Sequence, residues 1–380
     1  MVDRDPPTLA SSAAPSRDAD PTPGTADGGA AAGGPSKPVG SFDPIEALAE
    51  WGPAAPEREP VSTDRAYEMC HALARRRYEN FSVLTGLVPE KLRDDFAAVY
   101  AFCRWADDLA DETHRLSASD NGAAVRTPEL DRARALELLA WWRTGLERCF
   151  AGEAAHPVYV ALAETVRRHD LRPEPFRRLL DAFEQDQRVS VYASWDDVIG
   201  YCRGSADPVG HLVLTLAGHR PPDEDPANAE MYRLSDLVCS ALQLTNFWQD
   251  VRTDLLDRGR IYMPTDETGF DLDTLRAMAA RGDDHETRVR YIKTLRPLVE
   301  RTMGMFDEAR ALPKIVDPAV GPVVWLFAAG GRRVLNKVLA GGCTTLWNRP
   351  RLRGYEKAAL VGLGYARRWV DGRRGPRGRG

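Results

Sequence analysis

The chain has 380 residues, 43% of them hydrophobic and 28% charged, with a formal net charge of −5. That mix fits a soluble globular protein of one large domain or two modest ones, and the acidic balance offers none of the clustered basic surface that nucleic acid needs. No apolar run approaches the roughly 20 residues that span a bilayer, and Asp3, Arg4 and Asp5 stand where a secretory signal would be apolar.

Residues 1–60 are Ala, Gly, Pro, Ser and Asp in low-complexity order, with few large apolar groups. Such a segment cannot bury enough surface to offset its ordering entropy, so disorder is expected there. From about Asp64, apolar residues recur at helical spacing. The spacing predicts helices over Ala66–Tyr78, Leu92–Glu112, Arg132–Phe150, Pro157–Arg168, Pro175–Gln187, Trp195–Tyr201 and Asp207–Ala217. Further helices are predicted over Glu230–Leu256, Leu272–Ala280, His285–Ala311, Pro322–Ala340 and Tyr355–Trp369. Ser194 before Trp195, Pro208 after Asp207 and the Pro89–Glu90 pair are start signals. Alternating β-branched runs are absent, so residues 61–370 read as a single all-α domain. Residues 371–380 are a basic tail. With Arg367 and Arg368 before it, Arg373, Arg374, Arg377 and Arg379 read either as a frayed end or as a weak electrostatic tether to anionic lipid. The six cysteines form no CxxC and no metal-ligand spacing, which suits small core residues in a reducing compartment.

Two constellations carry chemistry. In the first predicted stripe, Tyr100, Arg104, Asp107 and Asp111 are spaced 4, 3 and 4, one face of a helix. In the second, Gln243, Asn246, Asp250 and Asp254 are spaced 3, 4 and 4, flanked by Leu242, Leu244, Phe247, Trp248 and Val251. A polar stripe on a helix whose flanks are apolar points to a cavity wall. Carboxylates one turn apart repel unless a cation offsets them. With amide oxygens nearby they are hard ligands that suit Mg²⁺ bridging to phosphate. Two such faces opposed would hold Mg²⁺ on one diphosphate and promote C–O ionisation. A carbocation so formed needs a dry, aromatic pocket, for which Phe81, Tyr100, Phe102, Trp105, Phe247 and Trp248 are available. A di-iron bundle would want Glu and ExxH pairs, and neither stripe contains His.

These residues resemble the squalene/phytoene synthase family, over about Asn80 to Pro264 and more weakly towards Trp369. The motifs are YAFCRWADDLAD at 100–111, YCRGSADPVG at 201–210, and LQLTNFWQDVRTD followed by RGRIYMP at 242–264. The resemblance implies an isoprenoid synthase helical bundle around a central cavity. Within the family, Glu79-Asn80-Phe81, the run Ser205–Gly210 and Asn246–Asp250 are most similar to bacterial hydroxysqualene synthases of the squalene and hopanoid route. Asp207 stands for that subgroup's Asn. Gln249 stands where other members carry an Arg against diphosphate, which suits an enzyme handling one preformed diphosphate.

The resemblance implies presqualene diphosphate as substrate and Mg²⁺ as cofactor, held by Asp107, Asp111, Asp250 and Asp254. Asp108, Asn246 and Gln243 would assist, Arg104 and Arg260 would stabilise diphosphate, and Tyr100 and Tyr262 would stand near the reacting centre. Phe81, Tyr201, Ser205 and Trp248 complete the expected substrate contacts. Water capture would give hydroxysqualene without NADPH. The expected setting is cytoplasmic, with peripheral contact at the inner membrane face and with neighbouring pathway enzymes. The alternatives are a presqualene diphosphate, squalene or phytoene synthase condensing two prenyl diphosphates, or a non-catalytic assembly protein on the same fold. Other readings stay paired: Gly210 allows either a bend at the cavity or close packing, His211 is a core or cavity-edge residue more than a base, Arg188 and Tyr192 face a pocket mouth or the surface, and Trp141 and Trp142 serve packing.

Overall fold

The computed structural model describes residues 42–77, 86–116, 127–281 and 284–373. Phe81, expected to touch substrate, lies outside them, as do residues 1–41 of the expected tail. The helices are α1 (Pro44–Trp51), α2 (Thr63–Arg77), α3 (Arg93–Asp111), α4 (Pro128–Phe150), α5 (Pro157–His169), α6 (Glu174–Asp186) and α7 (Trp195–Ser205). They continue as α8 (Asp207–Leu216), α9 (Ala229–Thr253), α10 (Leu272–Arg281), α11 (His285–Glu308), α12 (Gly321–Ala340) and α13 (Gly354–Arg373). No strand occurs among the described residues. Capping follows the sequence: Ser194 and Asp197 form a reciprocal capping box at the start of α7, satisfying donors that a helix start leaves open.

Two apolar cores form, each around one aspartate-bearing helix. α2, α4, α5 and α6 gather on α3, which buries Ala97, Ala101, Phe102, Trp105 and Leu109 and so turns its polar stripe the other way. Here Trp105 stacks on Trp142 at 5.0 Å and 10°, so Trp142 packs as expected, while Phe102 and Trp105, expected to line a cation pocket, are fully buried in this core instead. Truncating such a fully buried ring costs about 3–5 kcal/mol. α7, α8, α11 and α12 surround α9, which is buried on most of its circumference through Leu234, Val238, Leu244, Phe247, Trp248 and Val251. α8 presses closely on α9 because position 210 is glycine: a Cβ there would collide with Ser235 Oγ and lie 2.7 Å from Cys239 Sγ. Close packing is therefore the role of Gly210. The six cysteines are free thiols.

The expected tail is wrong at its inner end. α1 falls within residues 1–60, with Asp43 capping it, Pro44 in its first turn, and Ile45 and Ala47 buried. Phe42 reaches Trp105 at 5.5 Å, and Arg115 holds Asp43 at 3.2 Å. The short run Phe42–Trp51 carries enough apolar surface to dock although its surroundings are low in complexity. At the other end, α13 runs to Arg373, past the start of the predicted basic tail.

Candidate active site

The final turns of α3 and α9 meet through arginines. α9 passes into a wider π turn, Asp254–Arg258, which Gly259 ends in the left-handed conformation at φ 64°. A Cβ at Gly259 would meet only Arg276 Nη2 at 3.7 Å, so glycine is needed for the backbone angle and not for space. This reversal brings Arg258 Nε within 3.0 Å of Asp111 and its Nη1 within 2.8 Å of Asp254. Two residues later, Arg260 Nη1 donates to Asp111 at 3.2 Å. On α3, Arg104 pairs with Asp107 at 2.8 Å and with the fully buried Asp108. On α9, Arg349 grips both oxygens of Asp250, with Nη2 at 2.8 Å. Gln249 donates to the Pro350 carbonyl at 2.5 Å and Arg252 to that of Leu346 at 3.2 Å, so the segment before α13 is strapped to the end of α9.

A third carboxylate joins them. Asp186, last residue of α6, accepts from Tyr201 at 2.7 Å and Tyr262 at 3.1 Å, and lies 3.6 Å from Arg260. Tyr262 stacks on Phe247 at 3.7 Å and 5°, and Tyr192 and Tyr201 pack on it at 5.6 and 5.4 Å. Burial pushes Asp186 up to about 6 against the pull of Arg260 and Tyr201. Asp107 is raised to about 6, first by the crowding of protein around it, with Arg104 opposing and Asp111 adding repulsion. The 43% of its side chain that still meets solvent tempers that shift. Asp254 is held up at about 6 by burial and by Asp250 and Asp111, against Arg258.

Most expected site residues thus converge: Arg104, Asp107, Asp108, Asp111, Asp250, Asp254, Arg260, Tyr201 and Tyr262. Tyr100 and Gln243 are half-buried and Asn246 is exposed, on the same stripes. Ser205 ends α7 with its Oγ buried and without a hydrogen-bond partner among the described residues. Trp248 departs from expectation. It lies about 200° around the helix from Asn246 and Asp250, is fully buried and donates to Thr302 at 2.8 Å, which is a packing role. Asp207 is buried on Ser240 at 2.8 Å. His211 bonds Asp236 at 2.7 Å beside a cavity of about 300 Å³ that shares no residue with the aspartate site. Tyr192 is buried beside Asp186, while Arg188 is exposed. Sequence reasoning missed Asp186, Arg258 and Arg349. Arg258 alone had a visible signal, four residues after Asp254. Arg349 also alters the inference drawn from Gln249: this edge of the site has a cation, supplied from the segment before α13.

The donor set suits Mg²⁺. Carboxylates that burial and like charge hold near 6 are stabilised by an added cation. Among the described residues no three acidic, His or Cys side chains form a ready cage. Mg²⁺ commonly takes one or two carboxylates with phosphate and water, so separate pairs on two helices are compatible with it.

Residues 74–356 match the squalene/phytoene synthase family. The hydroxysqualene synthase of Rhodopseudomonas palustris is 30% identical over 263 residues, covering 68% of this chain and 79% of that protein. Phytoene synthase 1 of Arabidopsis thaliana is 26% identical over 306 residues, 80% of this chain and 66% of the plant protein's length. The crystal structure of squalene synthase HpnC from Alicyclobacillus acidocaldarius is 37% identical, with a TM-score of 0.60, covering 74% of this chain and 96% of that one. With a family match spanning most of the described bundle and both aspartate helices, this chain belongs to the squalene/phytoene synthase family.

Proposed function

We propose that the chain ionises presqualene diphosphate and captures the cation with water, giving hydroxysqualene. The observation that carries the ionisation is the meeting of Asp111 and Asp254, one from each aspartate helix, on the single guanidinium of Arg258. Asp107, Asp111, Asp250 and Asp254 would hold Mg²⁺, which when bound supplies Lewis-acid neutralisation of the leaving diphosphate. Arg104, Arg258, Arg260 and Arg349 can turn from carboxylate to phosphate oxygens as charge develops there. Asp186 fixes the hydroxyls of Tyr201 and Tyr262, so their rings and Phe247 offer fixed π faces to a carbocation. Half-buried Phe96, Leu242 and Phe327 offer apolar surface to the prenyl chains.

Breaking the C–O bond releases diphosphate and leaves a cyclopropylcarbinyl cation that opens to an allylic one. Water adds to that cation and loses a proton, so no reductant enters. The similarity to hydroxysqualene synthases supports this product. Condensation of two prenyl diphosphates is the second reading, favoured by Arg349, which supplies the cation that Gln249 lacks, and by the phytoene synthase relatives. Purified protein with Mg²⁺ is assayed on presqualene, farnesyl and geranylgeranyl diphosphates, with and without NADPH. Hydroxysqualene from presqualene diphosphate alone is the expected result. Conversion of farnesyl diphosphate to presqualene diphosphate would overturn the lead in favour of the second reading.

A further inference from the structure

α1 stands outside the residues 74–356 that match the family, yet it docks on the back of the first aspartate helix. Phe42 leans at 5.5 Å on Trp105, which follows Arg104 on α3. Beside it, Asp43 is only 2% exposed and serves two partners. Its Oδ1 accepts from the Ile45 and Glu46 N–H groups at 3.1 and 3.3 Å, which caps α1. The same oxygen accepts from Arg115 Nη1 at 3.2 Å. Arg115, just beyond the end of α3, also donates to Glu112 at 2.8 Å. Glu112 in turn lies 3.7 Å from Arg104, the guanidinium that holds Asp107 and Asp108. Alternating charges therefore run from α1 to the site in the order Asp43, Arg115, Glu112, Arg104, Asp107. Burial of Phe42, Ile45 and Ala47 already accounts for the docking of α1, and its cap is complete without a guanidinium.

We propose that Asp43 and Arg115 are positioning residues for diphosphate binding: they draw Glu112 away from Arg104 and so leave Arg104 free to turn to phosphate. Arg104 already serves two carboxylates. A third would compete for the same N–H groups, and its charge would oppose an incoming diphosphate. The side chains of Arg104, Glu112 and Arg115 are 24%, 27% and 31% exposed, so solvent screens these charges less than it would on open surface. Arg115 holds the Glu112 carboxylate more closely than Arg104 does, at 2.8 against 3.7 Å. A long arginine side chain keeps this place only at an entropic cost, and the buried Asp43, itself fixed by capping α1, lowers that cost by anchoring it. The short helix before the family-matched residues thus sets the charge that Arg104 meets. This role rests on the reading of Arg104 and Asp107 as diphosphate and metal ligands.

The test reads binding and not turnover: inorganic diphosphate is titrated calorimetrically into the full chain in saturating Mg²⁺. Asp43→Asn keeps an N-cap acceptor for α1 but drops the charge, and Arg115→Gln removes the guanidinium. Each should raise the Kd for diphosphate about three- to fivefold, the scale of a partly exposed ion pair. Combining them should add little, since both act through Glu112. Adding Glu112→Gln in either background should return the Kd to the wild-type value, a recovery that a purely structural loss of α1 would not show. Asp43→Asn, in which the cap survives, reports on the proposal even where Arg115→Gln loosens the fold. An unchanged Kd in Asp43→Asn, or no recovery on adding Glu112→Gln, would overturn the proposal while leaving the site itself intact. Wild-type protein that binds no diphosphate in Mg²⁺ would overturn the reading of the site, and this role with it.

Discussion

α3 and α9 end on similar aspartate pairs but neutralise them differently. On α3, Arg104 stands one turn before its partners Asp107 and Asp108, so that part of the charge balance is built into the helix itself, while Asp111 takes Arg258 and Arg260 from beyond α9. On α9 one partner is local and the other remote. Arg349 lies 99 residues further along the chain, and Arg258 reaches Asp254 only through the π turn. Asp107, Asp108 and Asp254 are therefore neutralised by local sequence, and Asp111 and Asp250 by tertiary structure. The α9 end should then be the more sensitive to anything that moves the segment before α13.

The broadest break in this comparison removes a carboxylate from either half. Asp107→Asn and Asp250→Asn should each lower prenyl diphosphate turnover by on the order of 10²–10³, the usual loss for one transition-state charge contact, with unchanged circular dichroism. A variant keeping half the wild-type rate would remove its helix from the chemistry. Removing the arginines separates the halves by stability. Arg104→Ala strands the fully buried Asp108 and should cost about 3–5 kcal/mol in urea unfolding. Arg349→Ala opens a partly exposed pair and should cost under about 1 kcal/mol, while raising KM for the diphosphate. Equal destabilisation would erase the distinction.

Titration sharpens the picture further. Asp107 and Asp254 have folded values raised to about 6. Their contribution to stability is thus fully present below the ordinary carboxylate range and is lost as pH rises through 6. A cation that relieves the ionised pairs should therefore raise Tm more at pH 8 than at pH 5. The same Mg²⁺-induced shift at both pH values would mean that these carboxylates do not take it. The smallest effect is expected from Gly259→Ala, which forces a Cβ into the left-handed region at about 1–2 kcal/mol. It should cost a few degrees in Tm and weaken the Arg258–Asp111 contact, seen as a modest rise in KM.

Much of this was readable from spacing. The stripes at 100–111 and 243–254 follow from helical periodicity, and the apolar flanks explain why they line an interior. What spacing misses lies on segments without period. Asp186 looks like one more acid at the end of an amphipathic helix, and only folding sets Tyr201 and Tyr262 on it. Arg349 sits in a loop whose destination no local pattern encodes. Trp248 shows the converse error: its aromatic ring and the family resemblance suggested a substrate contact, but a two-residue step from Asp250 turns the side chain to the far side of the helix. The low-complexity composition before α1 masked a ten-residue stretch, residues 42–51, whose apolar residues are in phase.

The arginines on these aspartates also set how ligands must enter. At rest the site behaves as an ion exchanger, with guanidinium groups occupying the carboxylates. A cation that takes the carboxylates frees the arginines for phosphate, and a diphosphate that takes the arginines frees the carboxylates for cations. Each ligand thereby lowers the free energy of binding the other, and linkage requires the two effects to be equal in size. Neither should bind tightly alone, so the polar groups here would be committed to ionisation only when both reactant components have arrived.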